Sequence, residues 1–367
     1  MHFVCSTSEL NSALNVVSHA LPSKSPNPIL EGILFETNQD NILITATDKV
    51  LYINTFIPAE IREEGKCVIP GKLLCDIVRK LPDEYCDIQV NDRQFLTIKS
   101  GQFITTLAVM DTMEYPHMKI VTGDDVEVTQ KDLKEMISGT IFSVAVDTSR
   151  PILTGCLVEI SGDELNVVAL DGFRMGVKTK KIEQSSHTIS SVVPGKVMGD
   201  IQRILNDSEE KVKLCIGKNL MSMDMDNVHL ISILLEGEFI RYRAIFPTDW
   251  QTQVIVNHSA LNDAIDRASL IARGDKSNQA TFRIEDNVMT IYTRSETSNM
   301  EEKLDISKTG MDVNITFNVK YLNDIMKAIS DEEIVMRFKS SVSPCVITPV
   351  DHVDYTYLLL PIRTFEG

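Results

Sequence analysis

The chain repeats parts of its own sequence at a nearly constant distance, and this repetition limits its fold more than any other feature. The stretch NPILEGILFETNQDNILITATD at 27–48 returns as RPILTGCLVEISGDELNVVALD at 150–171, 123 positions later. Likewise VIPGKLLCDIVRKL at 68–81 matches VVPGKVMGDIQRIL at 192–205, and FNVKYLNDIMKAI at 317–329 continues that frame. Units of this length can each bury a core, so the repeat predicts three domains rather than a solenoid. The predicted boundaries are 1–122, 123–250 and 251–367.

Each unit shows the same predicted order of helices and strands. Near the N-terminus, Leu10, Leu14 and Val17 recur at helical spacing, and Ser6 or Ser8 precedes them as an N-cap. The letters NQDN in the first quoted stretch predict a turn between two β-rich runs. A second amphipathic helix and further strands complete the unit. The prediction is an α+β fold, with two helices and about eight short strands per domain and the helices packed on antiparallel sheets.

The second helix of each unit carries two basic residues seven positions apart. These pairs are Lys72 and Arg79, Lys196 and Arg203, and Lys320 and Lys327. This spacing places each pair on one face of its helix. In the first unit, the opposite side is predicted to gather Leu73, Leu74, Ile77, Val78 and Leu81. Two interpretations stay open: an ordinary solvated face, or a face turned toward phosphates without base-specific contacts.

Charge and composition exclude several classes of protein. The net charge of −16 argues against tight nucleic-acid binding by the chain as a whole, although it says little about a local face. Seven scattered cysteines without a C-x-x-C pair predict reduced thiols in a cytoplasm, and Cys75 and Cys156 lie in apolar runs. We expect neither a signal peptide nor a membrane-spanning helix. No metal-ligand spacing appears among the cysteines and histidines.

Motifs of catalysis are absent or incomplete. The letters PGK occur twice, in VIPGK and VVPGK, but lack the remainder of a phosphate-binding loop, so a proline ahead of a helix start is the simpler interpretation. Asp48 and Asp171 end corresponding strands, where an aspartate more often caps a turn than acts in catalysis. The third unit has Arg294 at that position. The sequence therefore predicts a protein that is not an enzyme.

The order of these segments, together with DGFRM, VVPGK and LLLPIR, closely resembles the bacterial DNA polymerase sliding clamp, the β subunit of the replicative polymerase. The resemblance covers the whole chain, from PNPIL to LPIR. It implies a DNA-clamp fold in which two chains join head to tail into a closed ring around duplex DNA. It also implies a processivity factor that has no catalysis or cofactor of its own and that tethers the replicative polymerase, the clamp loader and other clamp-binding proteins.

The resemblance further implies a pocket for a short partner peptide. The matching positions are Leu153, Leu170, Gly172, Phe173, Arg174, Met175, Ile240, Ala244, Ile245, Val342, Pro344, Leu358, Leu360, Pro361, Ile362 and Arg363. Aliphatic walls would accept a leucine or phenylalanine of the partner, and Arg174 or Arg363 would offer hydrogen bonds at the rim. This chain departs from the family at Phe173, Ile240 and Ala244, where histidine, proline and arginine are common. It also continues past the usual ending with Phe365-Glu366-Gly367.

Two further surfaces follow from the resemblance and the repeat. The positions expected to face DNA are Lys24, Lys72, Arg79, Arg150, Lys196, Arg203, Arg273 and Lys320. The seam between the two chains is expected at Phe103, Leu270 and Ile271. Two alternatives stay open from the residues: a monomer of three tandem peptide-binding modules, and an enzyme that uses Asp48 and Asp171.

Overall fold

The helices of the structure follow the repeated order that the sequence predicts. The structure is a computed structural model and describes residues 1–183, 188–273 and 278–363. Within these residues, each of the three repeats contributes two α-helices, as predicted. They are α1 Thr7–Val17, α2 Gly71–Val78, α3 Gln130–Ser138, α4 Gly195–Ile204, α5 His258–Ala272 and α6 Val319–Met326. None of the helices in this part of the chain is long and apolar enough to cross a membrane.

The described residues form 26 strands, eight or nine from each repeat. Those of the first repeat are β1 His2–Ser6, β2 Gly32–Asn38, β3 Asn41–Thr47, β4 Leu51–Pro58, β5 Glu60–Glu63, β6 Lys66–Pro70, β7 Tyr85–Val90, β8 Phe95–Ser100 and β9 Phe103–Ala108. Those of the second are β10 Asp124–Thr129, β11 Gly155–Ser161, β12 Glu164–Leu170, β13 Arg174–Lys181, β14 Ile189–Pro194, β15 Lys211–Ile216, β16 Leu220–Met225 and β17 Val228–Ile233. Those of the third are β18 Thr252–Asn257, β19 Gln279–Glu285, β20 Val288–Arg294, β21 Asn299–Asp305, β22 Ser307–Gly310, β23 Val313–Asn318, β24 Glu333–Phe338, β25 Cys345–Pro349 and β26 Tyr355–Leu359.

Local sequence signals explain where several elements begin and turn. The Ser6 side chain accepts a hydrogen bond from the backbone N–H of Glu9 and so caps α1, which confirms one of the two predicted caps. The NQDN letters form the predicted turn: Asn38 pairs with Asn41, and Gln39 takes a φ of +49° between them. Pro70 immediately precedes α2, as the sequence predicts for the PGK letters.

The chain divides into two compact units, of which the first comprises residues 1–130 and 208–234. It holds α1, α2 and two sheets, with strand orders β5-β1-β7-β8-β9 and β10-β15-β16-β17-β4-β3-β2-β6. In the second of these sheets, β17 of the second repeat pairs with β4 of the first, with Val228 opposite Thr55. One continuous antiparallel sheet therefore contains strands of two repeats.

The second unit comprises residues 131–207 and 235–367 and shows the same principle. Its sheets have the orders β14-β11-β12-β13-β26-β25-β24-β18-β22 and β21-β20-β19-β23. Here β13 of the second repeat pairs with β26 of the third, with Arg174 opposite Leu359. Contacts thus group the chain by shared sheets rather than by repeats, and the boundaries 1–122, 123–250 and 251–367 stay a prediction.

Helix α2 differs from its prediction at one position. Leu73, predicted to lie on the buried side, is 50% exposed. The residues of α2 that are buried are Gly71, Leu74, Cys75 and Val78. At 3.6 residues per turn, the centre of this buried arc lies about 110° from Lys72 rather than opposite to it. Leu73 lies on the other side of Lys72 and therefore faces solvent.

A histidine of the second unit joins a cluster of charged and phenolic groups. His352 bonds to Asp354 through Nδ1 and to Asp331 through Nε2 at 2.8 Å. Tyr355 donates to Asp331 at 2.8 Å, and Lys178 lies 3.8 Å from Asp354 and over the ring of Tyr355. Burial alone would lower the pKa of His352, but its bonds to the two carboxylates outweigh burial and raise that pKa.

This cluster predicts a pH dependence of stability. The pKa of His352 is higher in the folded protein than its ordinary value of 6.5. Protonated His352 therefore contributes its full stabilisation below pH 6.5. That contribution is lost as the pH rises through the folded value. We expect the urea midpoint of the second unit, followed by the fluorescence of Trp250, to fall as the pH rises above 6.5. His352→Gln should flatten this fall and His117→Gln should keep it, whereas an unchanged profile in His352→Gln would contradict the assignment.

Candidate functional site

The predicted pocket begins at a turn that Asp171 organises. Its Oδ1 accepts hydrogen bonds from the backbone N–H groups of Phe173 at 2.8 Å and Arg174 at 3.0 Å, and Gly172, which directly follows Asp171, takes a φ of +91°. In the first repeat, Asp48 caps the corresponding turn in the same way, by accepting from the N–H of Leu51 at 2.8 Å. Both aspartates therefore have the turn-capping role that the sequence favours over catalysis.

An apolar cluster lies beside this turn, on the strands that flank it. The predicted pocket residues that are buried in it are Leu153, Leu170, Met175 and Leu358, and Ile240 packs against them. The sequence-based list missed its other buried members, which are Leu157, Val168, Val177, Val192, Phe239, Tyr242 and Val346. The structure thus brings five residues from four separate parts of the chain into one apolar patch. A site of this kind suits an aliphatic or aromatic side chain of a ligand.

Tyr242 is the missed residue with the most distinctive contacts. It begins the 3-10 helix Tyr242–Ile245, and its hydroxyl donates to Glu159 at 2.9 Å while Arg243 pairs with the same carboxylate at 2.6 Å. Burial and the adjacent Glu159 raise the pKa of Tyr242, so the phenol stays neutral and acts as a donor. Two aromatic residues close together, Phe239 and Tyr242, were the available sequence signal.

The remaining predicted pocket residues lie at or near the surface. Phe173, Ile245, Val342 and Leu360 are exposed apolar side chains. Leu360 donates its backbone N–H to the carbonyl of Phe173 at 2.8 Å, which holds these two side by side. Gly172, Ala244 and Arg363 are also exposed, whereas Pro344, Pro361 and Ile362 are half-buried. The segment Phe365-Glu366-Gly367 lies outside the described residues.

Arg174 does not lie at a rim, and the prediction that it offers hydrogen bonds there is wrong. Its side chain is only 9% exposed. Its Nε donates to Asp171 at 3.0 Å and its Nη1 donates to Asp324 at 2.5 Å. The guanidinium also lies 4.5 Å from the ring centroid of Tyr321 and 5.4 Å from that of Phe142. Arg174 therefore links the Asp171 turn to α6, because Asp324 and Tyr321 both belong to that helix.

The ring of Phe173 stacks on Tyr321, with 6.1 Å between their centroids. Phe173 is the residue at which this chain departs from the histidine common in the sliding clamps it resembles. A stacked aromatic pair presents an apolar surface. This chain thus exposes an aromatic side chain where the resemblance leads one to expect a histidine.

The basic residues predicted to face DNA all lie at the surface. In the first unit they are Lys24, Lys72 and Arg79, and in the second unit Arg150, Lys196, Arg203 and Arg273, with Lys320 on α6. Arg203 pairs with the buried Asp200 at 2.8 Å, and Arg79 lies 3.9 Å from Asp76. The spacing seen in the sequence therefore produces exposed cations on α2, α4 and α6. Their contact with DNA stays a prediction.

The residues predicted at the seam between chains are accessible in the single chain. Phe103 begins β9, an edge strand of its sheet, and is exposed. Leu270 is 66% exposed on α5, and Ile271 beside it is half-buried. An edge strand with an unpaired side and an exposed leucine are both features that a second chain can cover.

The described residues contain no group of three or more histidine, cysteine, aspartate or glutamate residues that could hold a metal ion. All seven cysteines are free, and Cys75 and Cys156 are buried, as expected for small apolar side chains. Burial raises the pKa of the Cys156 thiol to about 12, so it stays protonated.

Comparison with known proteins agrees with this fold. Three models of the DNA polymerase III beta subunit match in succession: the N-terminal domain over residues 1–119, the central domain over 127–240 and the C-terminal domain over 243–363. Curated proteins named beta sliding clamp from Staphylococcus epidermidis and Staphylococcus aureus are each 30% identical to this chain over 376 residues, covering all of both chains.

Solved structures extend the agreement to three dimensions. The DNA polymerase sliding clamp from Bacillus subtilis has a TM-score of 0.97 at 29% identity, with full coverage of both chains. The DNA polymerase III beta subunit from Thermotoga maritima has a TM-score of 0.93 at 31% identity and covers 99% of this chain and 100% of its own. Repeated two-helix domains on antiparallel sheets, with exposed cations on their second helices, define the class of DNA clamps.

Within that class, the chain belongs to the DNA polymerase III beta subunit family. Its function is that of a DNA sliding clamp, a processivity factor of replication. Members of this family are processivity subunits and have no catalytic activity of their own.

Proposed function

We propose that two copies of this chain join head to tail into a closed ring around duplex DNA, and that partner proteins attach through the apolar patch beside the Asp171 turn. The observation that carries the proposal is the recurrence of exposed cations at equivalent positions of α2, α4 and α6. A protein of net charge −16 has no general reason to place cations at one helix position three times. Phosphate-facing helices supply such a reason.

The proposed contact with DNA is weak and does not depend on base sequence. Lysine and arginine on short surface helices reach phosphate oxygens, which carry no sequence information. Arg203 already shares its charge with Asp200, and Arg79 lies near Asp76, so these two contribute less than a free cation would. A closed ring keeps the protein on DNA topologically, and weak contacts then leave it free to slide.

The proposed partner site takes a short peptide in an extended conformation. Leu153, Leu170 and Leu358 supply aliphatic walls, and Phe173 with Tyr321 supplies an aromatic edge. A leucine or phenylalanine of the peptide would be buried there and would contribute most of the affinity. Arg363 is the exposed cation assigned to the rim, since Arg174 is buried and already paired with two carboxylates. The partners are the replicative polymerase, the clamp loader and other proteins with a clamp-binding motif.

The seam of the proposed ring joins Phe103 of one chain to Leu270 and Ile271 of the other. We assign the repeats 1–122, 123–250 and 251–367 to the three clamp domains and the protein to the cytoplasm. These assignments rest on the repeat, on the free cysteines and on the family.

Retention on circular DNA tests the ring. Labelled protein is loaded onto a nicked circular plasmid with a clamp loader and separated from free protein by gel filtration. We expect it to stay on the circle in about 0.5 M salt, because topology does not depend on phosphate contacts. Cutting the plasmid once should release the protein and clearly shorten its lifetime on the DNA. Equal loss from circular and linear plasmid would contradict the ring and favour three tandem peptide-binding modules.

A further inference from the structure

Two cysteine side chains lie directly against each other in the first unit. Cys5, the fourth residue of β1, pairs in antiparallel register with Cys86, the second residue of β7. Their sulfur atoms are 3.7 Å apart, and both side chains are buried. None of the other five cysteines, all of which lie in the described part of the chain, has a second cysteine sulfur within hydrogen-bond distance. The pair therefore differs from an ordinary buried cysteine, which packs as a small apolar side chain.

The backbone at this pair already has the geometry that a disulfide needs. Directly opposite residues of two antiparallel strands have Cα atoms about 4.5–5.5 Å apart, within the range of about 4.4–6.8 Å that disulfides require. The two sulfur atoms would have to approach from 3.7 Å to about 2.0 Å. Rotation about the two Cα–Cβ bonds can supply an approach of this size. A bond between Cys5 and Cys86 therefore needs no rearrangement of the sheet.

The two thiols differ in how readily they lose a proton. The Cys5 thiol can donate to the sulfur of Cys86, and this bond lowers the pKa of Cys86 although burial opposes the change. The hydroxyl of Thr7, a buried group without another hydrogen-bond partner in the described part of the chain, lowers that pKa further. The same thiol–thiol bond, together with burial, raises the pKa of Cys5. Cys86 is thus the thiol suited to react as a thiolate, and Cys5 keeps its proton.

The pair lies close to one end of its sheet, so a small reagent has a short path to it. Ser6 and Tyr85 form the last pair between β1 and β7, and Tyr85 is 59% exposed. Opening of a strand end costs less free energy than unfolding of the whole unit. A small neutral oxidant, such as hydrogen peroxide, can therefore reach the two sulfur atoms while the unit stays folded.

The same end of the sheet also carries Phe103, the residue expected at the seam. Asp87, which follows Cys86, pairs with Lys99 of β8. Ser100, the next residue of β8, pairs with Phe103 at the start of β9. The antiparallel register therefore places Cys86 level with Ser100 and Phe103. A covalent bond between β1 and β7 would act at the end of the sheet where the edge strand β9 begins.

We propose that Cys5 and Cys86 form a reversible disulfide when the protein meets hydrogen peroxide. In the first step, the Cys86 thiolate attacks one peroxide oxygen and the O–O bond breaks, which leaves a sulfenic acid on Cys86 and a hydroxide that takes up a proton to become water. In the second step, the sulfur of Cys5 attacks the sulfur of the sulfenic acid. The S–O bond breaks, and the oxygen leaves as water with the proton of the Cys5 thiol. Two thiols and one hydrogen peroxide thus give one disulfide and two water molecules.

The disulfide would tie β1 to β7 across 81 positions of the chain. Such a link removes conformations from the unfolded chain and therefore stabilises the folded first unit. Reduction by a thiol would reverse it, as is usual for disulfides of cytoplasmic proteins. The inference goes beyond the proposed ring and does not depend on it, because both cysteines and their neighbours belong to the first unit.

Mass spectrometry of the oxidised protein tests the disulfide directly. The full-length protein is treated with increasing hydrogen peroxide, the remaining thiols are blocked with a maleimide in denaturant, and the digest is searched for linked peptides. We expect two of the seven thiols to be lost together, with one linked peptide that contains Cys5 and Cys86. Dithiothreitol should restore both thiols. Cys5 and Cys86 that stay thiols, or that are oxidised separately to sulfinic acids without a link, would overturn the proposal.

Single substitutions test the role of each thiol. In Cys5→Ala, the sulfenic acid on Cys86 has no partner and should be trapped by dimedone, at least fivefold more than Cys5 is trapped in Cys86→Ala. Cys215→Ser is the matched control: Cys215 is half-buried and would react first if exposure alone decided, so this variant should form the link as the parent does. Preferential trapping at Cys5 would contradict the assigned roles. Loss of the link in Cys215→Ser would show that the pair does not form it alone.

Calorimetry then measures the effect of the link on stability. The unfolding temperature of the first unit should be at least about 5 °C higher in the oxidised parent than in the reduced parent. Cys86→Ala, which cannot form the link, should unfold at the same temperature before and after peroxide, and circular dichroism should show that it is folded. An oxidised parent that carries the link but unfolds at the temperature of the reduced protein would overturn the proposed stabilisation.

Discussion

Replacing Arg174 with methionine is expected to lower the free energy of unfolding of the second unit by about 3 kcal/mol, because two carboxylates near a buried position would lose their only shared cation. Asp171 and Asp324 both depend on this guanidinium, and the side chain also fills the space between Tyr321 and Phe142. Methionine keeps much of the volume and none of the charge. Urea unfolding followed by the fluorescence of Trp250, the only tryptophan, measures the change.

The same substitution should weaken binding of a clamp-binding peptide by roughly tenfold, since the Asp171 turn would lose its anchor on α6. Lys181→Met is the matched control: Lys181 lies on the same strand, β13, and also contacts two carboxylates, Asp163 and Glu164, but in full solvent. We expect no measurable change in stability or peptide affinity for this variant. If Arg174→Met behaved like Lys181→Met, the anchoring role of Arg174 would be refuted.

Combined Leu270→Ala and Ile271→Ala substitutions should convert the proposed dimer largely to monomer at micromolar concentration. Truncating these two side chains removes about 2 kcal/mol of apolar burial at one seam. A head-to-tail ring has two identical seams, so the loss doubles to about 4 kcal/mol, or roughly a thousandfold in the dissociation constant. Sedimentation equilibrium across a dilution series, with 41.1 kDa as the mass of one chain, measures it.

Val353→Ala provides the comparison for that experiment, because Val353 is also highly exposed and belongs to the same unit but not to the proposed seam. Its dimer should be as stable as that of the parent. Circular dichroism must show that both variants are folded. A double variant that stays as dimeric as the parent would place the seam elsewhere, and a parent that is monomeric at all concentrations would rule out the ring.

Periodicity in the sequence was sufficient to predict the elements of this fold but not the pairing between repeats. Leu10, Leu14 and Val17 are spaced for a helix, and that helix forms with Ser6 as its cap. By contrast, β13 pairs with β26, whose residues lie about 180 positions further along the chain. No local pattern encodes such a contact, since register between distant strands depends on the tertiary fold.

In the candidate site, too, local features could be predicted and contacts between distant residues could not. Leu153, Leu170 and Leu358 were predicted from the resemblance and do share one cluster. Arg174 was predicted to lie at a rim, yet its bond to Asp324 could not be foreseen, because the two residues are 150 positions apart. Leu73 was wrongly predicted to be buried, because the helical-wheel prediction assumed that the buried side of the helix lies opposite Lys72. In α2 the buried side is set instead by the sheet against which the helix packs.

The pairing of strands from different repeats also determines how this chain can be divided for experiments. A fragment that began near residue 251 would contain β26 but not β13, and one side of β26 would lose its backbone hydrogen bonds. That strand includes Tyr357, which is completely buried in the intact chain. A flat, apolar and unpaired edge is a template for association with other chains. A single repeat, although long enough to form a core, is therefore a poor choice for expression, and a soluble fragment needs its neighbour's bordering strand.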